Sequence, residues 1–196
     1  MRVWLLLLTL AGCTSPVSPA PEPGPEPTQE TAEAPDLADL PRRIHTETNA
    51  ARRRSGPDPL QWSDALATVA RSHSADMARR GYFAHDTPEG RTPQDRARAA
   101  GIDCRIEVDA RTERVGVSEN LYQTTRYARI QTRGAGPTAV RTVDWFSDED
   151  LAARTVQGWL DSPGHRRNLL DPLSTQHGIG VAPDADDRVY VTQVLC

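Results

Sequence analysis

Three side chains in this sequence of 196 residues have types and settings suited to metal or acid–base chemistry: His85, Glu119 and His165. His85 follows Gly81-Tyr82-Phe83, whose aromatic rings are expected to hold the imidazole. His165 stands in the first turn after Ser162-Pro163, and Glu119 lies at a strand end among apolar residues. Two imidazoles and a carboxylate can hold zinc while leaving a position for water. In that arrangement Glu119 is the candidate general base for a metal-assisted hydrolase. The three are scattered along the chain and no HExxH spacing supports them, so the fold has to bring them together. The other histidines read differently: His73 as a core residue on an apolar helical stripe, His45 on a helix surface, His177 at a strand entrance. A serine nucleophile is the third chemistry to weigh. Gly116-Val117-Ser118-Glu119-Asn120 begins like the GxSxG elbow, with His85 or His165 as base. Asn120, however, stands where the final glycine must permit the sharp turn.

The elements that must position these residues alternate between helices and short strands from Leu37 onward. Pro41 suits a first helical position, Ile44, Thr48 and Ala51 share one face, and Gly56-Pro57 ends that helix. Ser63 caps a second helix carrying Leu66, Val69, Ala70, His73 and Met77 on one side, with Gly81 as its stop. Thr92-Pro93-Gln94-Asp95 opens a short helix running to Ala100. Ser147 opens another with Leu151, Thr155, Gly158 and Trp159 inward, and Ser162-Pro163 starts a last short turn. Strands are expected at 104–108, 115–121, 138–145, 178–182 and 189–195, the last two forming a hairpin. The spacing is too short for βαβ repeats, which predicts an α+β fold with helices flanking a small antiparallel sheet.

The ends of the chain speak to location. Residues 1–12 read as a signal peptide: Arg2, then an apolar run from Val3 to Leu10 that is far short of the roughly 20 residues a spanning helix needs. Leu10-Ala11-Gly12-Cys13 resembles a lipobox, so Cys13 is the expected lipidation site and the lipid anchors the mature chain to a membrane at the cell envelope. Seven of the sixteen prolines fall between Pro16 and Pro35, and residues 13–36 therefore read as a tether unable to bury a core. At about 3.1 Å per residue the tether can span about 70 Å, leaving residues 37–196 as one domain. With Cys13 assigned to lipid, Cys104 and Cys196 form an even pair in an oxidising compartment and are expected to bond. That pairing also follows if the strand opening at Cys104 lies antiparallel to the one closing at Cys196.

Composition excludes several classes. The net charge of −4 argues against nucleic acid as a partner. No lysine occurs, which removes Schiff-base and P-loop chemistry. Arg52-Arg53-Arg54, Arg79-Arg80 and Arg166-Arg167 read as solvated surface near helix ends.

Several stretches together resemble one family. Residues 81–93, GYFAHDTPEGRTP, look like the bacterial CAP (SCP-like) block GYFSHxxPDGRTP. Ser118-Glu119-Asn120-Leu121 resembles its GEN motif, and residues 159–170, WLDSPGHRRNLL, resemble WxxSPGHRxNIL. Gly178-Ile179-Gly180-Val181 with Tyr190-Val191-Thr192-Gln193 resembles GxGV…YxTQ. The resemblance implies a three-layer α-β-α sandwich with a His/Glu cleft lined by His85, Glu119 and His165, whose histidines bind a divalent metal such as zinc in many relatives. Three departures stand out. Ser118 replaces a glycine, the second glutamate of the family's tetrad falls at Ser162 beside Asp161, and residues 126–146 are longer than usual, suggesting a hairpin near the cleft rim. The expected function is a non-catalytic, envelope-anchored module binding a lipid, peptide, glycan, protein or metal. The alternative is a metal-assisted hydrolase using His85, His165 and Glu119.

Overall fold

The structure is a computed structural model that describes residues 34–136 and 139–196; the expected signal peptide, Cys13 and the expected tether up to residue 33 lie outside the described residues. Among the described residues no helix is long and apolar enough to cross a membrane. Helices α1 (Leu40–Ser55), α2 (Asp64–Arg80), α3 (Pro93–Ala99), α4 (Asp148–Asp161) and α5 (Pro163–Leu169) surround three small sheets. The main sheet has the order β1-β7-β8-β4, formed by Gln61–Trp62, Gln176–Pro183, Arg188–Leu195 and Ser118–Thr125. It is antiparallel except for the short β1, which runs parallel to β7. Two hairpins stand apart from it: β2 (Arg105–Asp109) with β3 (Thr112–Val115), and β5 (Tyr127–Arg133) with β6 (Val140–Trp145).

The helix signals act as read. Ser63 caps α2 and Gly81 ends it at φ +69°, while Thr92/Asp95 and Ser147/Asp150 form capping boxes on α3 and α4. Strand alternation divides the core into two layers. Ile179, Val189 and Val191 face α1, α4 and α5, joining Leu40, Ile44, Leu151, Val156, Trp159 and Leu169. The opposite face carries Tyr190 against Met77 and Val194 against Leu66 and Val69 of α2. This is the α-β-α sandwich.

Gly178 and Gly180 allow α2 to lie directly on the sheet. A Cβ on Gly180 would fall 2.1 Å from the backbone nitrogen of Arg71, and one on Gly178 would fall 1.9 Å from that of Ala67. Neither contact can be relieved by a rotamer change. Gly180→Ala is therefore expected to cost about 2–3 kcal/mol by overpacking, read as a lower denaturant midpoint with an unchanged m-value. Wild-type stability in that variant would mean that α2 does not rest on this strand.

Four expectations are revised. Gly116, at φ +114°, splits the anticipated 115–121 strand into β3 and β4. Cys104 and Cys196 are joined, with Cα atoms 5.7 Å apart, but β2 pairs with β3 and not with β8, whose neighbours are β7 and β4. The bridge thus staples a separate hairpin to the end of the sheet. The hairpin within 126–146 is present, yet it follows the end of β4 remote from Glu119, about 20 Å along the strand by its rise. It is tied there by Arg126, whose backbone N–H donates to the Asp187 carbonyl and whose guanidinium reaches the Pro35 carbonyl. Lastly, Arg52 is fully buried, not solvated. Its fork donates to the carbonyls of Asp58, Leu169, Asp171 and Ser174 at 2.6–3.2 Å, so it closes the chain between α5 and β7.

Candidate functional site

Glu119 enters the site from the second residue of edge strand β4, where alternation turns it toward the α2 and α3 side. Its side chain is 2 % exposed. Oε2 accepts from Arg96 Nη2 at 2.6 Å and Oε1 is 2.9 Å from His85 Nδ1. His85 sits on the loop after α2, half exposed, while its backbone carbonyl accepts from Arg96 Nη1 at 2.8 Å. His165 comes from α5, on the other layer, and its ring centroid lies 6.3 Å from that of His85 with the planes at 56°. The three residues expected to converge do so, around the edge strand β4.

Each is held by specific bonds. Arg96 is placed by the capped α3, and Gln94 of the same helix accepts the Val117 N–H at 2.8 Å just ahead of Glu119. Asn120 Nδ2 donates to the His165 carbonyl at 3.1 Å, and Asn168 Nδ2 donates to the Glu119 carbonyl at 3.1 Å and to Asn120 Oδ1 at 3.0 Å. Trp159 Nε1 donates to the Leu121 carbonyl on the same edge. The amide chain continues inward. Asn120 Nδ2 donates to Gln193 Oε1, Gln193 Nε2 to His177 Nδ1, and His177 Nε2–H then points to His45 Nδ1 at 2.7 Å. Since the Glu119 and His165 carbonyls can only accept, every donor in this chain has one direction.

The histidines differ electrostatically. The hydrogen bond to Glu119 raises the His85 pKa above the ordinary value, against an opposing burial effect. Burial lowers that of His165, and the neighbouring charge of His85 lowers it further. His85 is thus the first of the pair to take a proton, and its protonation disfavours a second one nearby.

Some expectations fail here. Tyr82 and Phe83 do not hold His85: Tyr82 packs edge-on against His73 and Phe83 packs near Tyr190. His45 is not simply on a surface but half buried and bonded to the fully buried His177. Ser118 alternates to the face opposite Glu119, and among the described residues no hydrogen bond joins it to either histidine, which removes the serine-nucleophile reading. Asp161 is exposed and accepts from Gln157, so it does not replace the missing glutamate. Sequence reasoning missed Arg96, which looked like one more helix arginine, although it lies four residues after a recognised cap. It also passed over Asn120, Asn168 and Gln193, which sit inside the very motif blocks that carried the resemblance.

Comparison with known proteins decides the family. A match to CAP, the cysteine-rich secretory protein family, covers residues 45–195. The chain belongs to the CAP family. Among CAP relatives, it is 28% identical over 156 residues to uncharacterized protein YkwD of Bacillus subtilis (strain 168), covering 79% of this chain and 48% of that one. It is 30% identical over 152 residues to uncharacterized membrane protein YlbC of the same organism, covering 78% and 33%. The chain thus spans about half or less of these relatives' length. The crystal structure of an extracellular protein containing a SCP domain from Bacillus anthracis str. Ames superposes with TM-score 0.54 at 28% identity, over 80% of this chain and 39% of that one. An outer surface protein from Borrelia burgdorferi gives TM-score 0.57 at 17% identity, over 82% and 94%, a likeness of fold alone.

Proposed function

We propose that this CAP domain is a non-catalytic binding module of the cell envelope, lipid-anchored through Cys13, whose ligand is taken by the exposed imidazole of His85 and the half-buried imidazole of His165. The observation that supports binding over hydrolysis is the state of Glu119. One carboxylate oxygen is held by Arg96 and the other by His85, and the side chain is buried. A general base needs a free lone pair within reach of its water. Glu119 instead orients His85, fixing the proton on Nδ1 and leaving Nε2 outward, as a carboxylate behind a ligating histidine does. The anchor is supported by the lipobox at residues 10–13 followed by the proline-rich stretch. Similarity to an extracellular SCP-domain protein and to a membrane protein agrees with an envelope location. Mass spectrometry of the native N-terminal peptide tests the anchor: an acylated Cys13 is expected, and an unmodified cysteine or cleavage elsewhere removes it.

A divalent metal fits this site in a limited way. Two imidazoles face one another, but among the described residues no group of three or more His, Cys, Asp and Glu is arranged to hold an ion. His85 and His165 would hold it, and when bound it would supply a Lewis-acidic position completed by solvent or ligand. Zinc titration of the purified protein is expected to show weak, exchangeable binding that is lost in His85→Ala/His165→Ala. Both imidazoles must be neutral to ligate. Because the His85 pKa is raised, binding is expected to weaken as pH falls from a point above the ordinary histidine value of 6.5. Zinc affinity that is unchanged in the double variant would place any metal elsewhere.

A further inference from the structure

Pro163, Arg166, Arg167 and Leu170 recur at three- and four-residue steps, so one face of α5 and its C-terminal cap forms the wall of a groove of about 530 Å³. Asp171 and Pro172 of the following loop and Arg114 of β3 complete it, and none of His85, Glu119 and His165 lines it. Its volume is within the range of small-molecule sites. The walls are fixed by the protein itself. Arg114 pairs with Asp171, whose carboxylate also accepts from the Leu173 N–H at 3.1 Å and the Ser174 hydroxyl at 3.2 Å. α5 is held in turn by fully buried Leu169 and by Asn168, which donates to the Glu119 carbonyl. A guest therefore meets a surface whose backbone is already in place, which lowers the ordering cost of binding.

The charges of the groove select the guest. Its ionisable lining is three arginines against one aspartate, and Arg114 answers that aspartate. Arg166 and Arg167 are exposed, and neither makes an ion pair among the described residues. Arg167 makes no hydrogen bond there either, and Arg166 only reaches the Leu160 carbonyl at 3.5 Å. Two positive charges thus stand uncompensated beside the apolar surfaces of Pro163, Leu170 and Pro172. Guanidinium forks match the oxygens of carboxylate and phosphate. A carboxylate or sulfate brings one charge, whereas a phosphate monoester brings nearly two near pH 7, with three acceptor oxygens. We propose that this groove is a second binding site, for a small phosphomonoester such as a sugar phosphate, its phosphate on Arg166 and Arg167 and its carbon skeleton against the two prolines and Leu170. The position of the groove favours a soluble source over a lipid headgroup. The chain leads toward Cys13 from Pro35, whose carbonyl is held by Arg126 beyond the far end of β4, while α5 is bonded near the start of that strand. On the reading that Cys13 carries the anchor, the groove lies at the pole remote from the anchored end.

Calorimetric titration of the full chain with glucose 6-phosphate, glucose 6-sulfate and glucose tests the assignment. Glucose 6-phosphate is expected to bind, the singly charged sulfate about tenfold more weakly, and glucose not measurably. Arg166→Gln/Arg167→Gln, at two exposed positions, is expected to weaken glucose 6-phosphate about tenfold or more. Arg53→Gln, at an exposed arginine of α1, is expected to leave its affinity unchanged, which separates the groove from a general effect of net charge. Soluble dihexanoyl phosphatidic acid supplies the lipid arm, and tighter binding of it than of glucose 6-phosphate overturns the soluble source. No binding of glucose 6-phosphate up to about 10 mM, or equal affinity in the double arginine variant, overturns the site itself. The His85→Ala/His165→Ala variant is expected to keep glucose 6-phosphate binding, so failure of the cleft and failure of the groove are read separately.

Discussion

Glu119→Gln is expected to cost about 3–5 kcal/mol of folding stability, because it leaves the buried Arg96 guanidinium without its counter-charge. Both side chains are nearly inaccessible, at 2 % and 9 % exposure, so water cannot take over the role of the carboxylate. Arg96 keeps its bonds to the His85 and Arg91 carbonyls, which accept but do not neutralise. Equilibrium denaturation measures the loss. Glu119→Leu combined with Arg96→Met is expected to recover much of it, since apolar side chains of similar volume often replace a buried pair without penalty. That double variant separates stability from function. With no carboxylate behind it, His85 loses the main cause of its raised pKa, and its titration is expected to move down toward the ordinary histidine range. Metal affinity should fall about 10–100-fold, as it does when the partner behind a ligating histidine is removed. If Glu119→Gln is as stable as wild type and the His85 titration does not move, the pair is not the organising contact of the cleft.

That sequence alone picked out three residues which lie together has a physical reason. His85, Glu119 and His165 each follow a strong local signal: a helix stop at Gly81, an edge-strand start after Gly116, and a proline-opened turn at Ser162. Such signals place a residue at an element end, where side chains reach clefts. Arg96 carries no comparable signal. A mid-helix arginine is solvated by default, and only tertiary packing against β4 makes it an internal counter-ion. Arg52 shows the same failure more sharply. Within Arg52-Arg53-Arg54 nothing local distinguishes the first from its neighbours, yet helical rotation puts it on the face of Ile44, Thr48 and Ala51, inside the protein. The 3.6-residue period already in use for the apolar residues would have flagged it.

The disulfide teaches a different lesson. Its pairing followed from the count of cysteines and an oxidising compartment, and the structure contains the bond. The strand adjacency offered in its support is absent, because β2 turns back on β3 through residues 110 and 111. Short polar strands such as 112–115 and 127–133 lack a buried face, so their alternation carries no hydrophobic signal.

Acid is expected to destabilise this domain steeply, with His177 the largest single cause. Its ring is fully buried on β7, and its pKa is pushed down to about 3 by burial first and then by His45 and Arg52. The bonding explains why the neutral form is demanded. Nδ1 accepts from Gln193 and Nε2 faces His45 Nδ1, so a second proton has no acceptor to meet. In the unfolded chain the ring titrates near 6.5, so below that pH the unfolded state binds a proton that the native state refuses. The contribution is therefore intact above pH 6.5 and is lost as pH falls toward 3. The gap corresponds to about 5 kcal/mol at its full extent, and to about 2 kcal/mol already at pH 5. His45, His73 and His165, all lowered chiefly by burial, act in the same direction, whereas His85, whose pKa is raised, opposes them. Denaturation at a series of pH values measures the total slope, and His177→Gln isolates one residue's share. Glutamine can still bridge Gln193 and His45 but takes up no proton. Its loss between pH 6.5 and 4.5 is expected to be smaller than wild type by about 2 kcal/mol in all. Equal slopes in the two proteins would mean that the His45–His177 pair accommodates a proton, and that the amide chain from Glu119 does not fix its donors as the bond directions require.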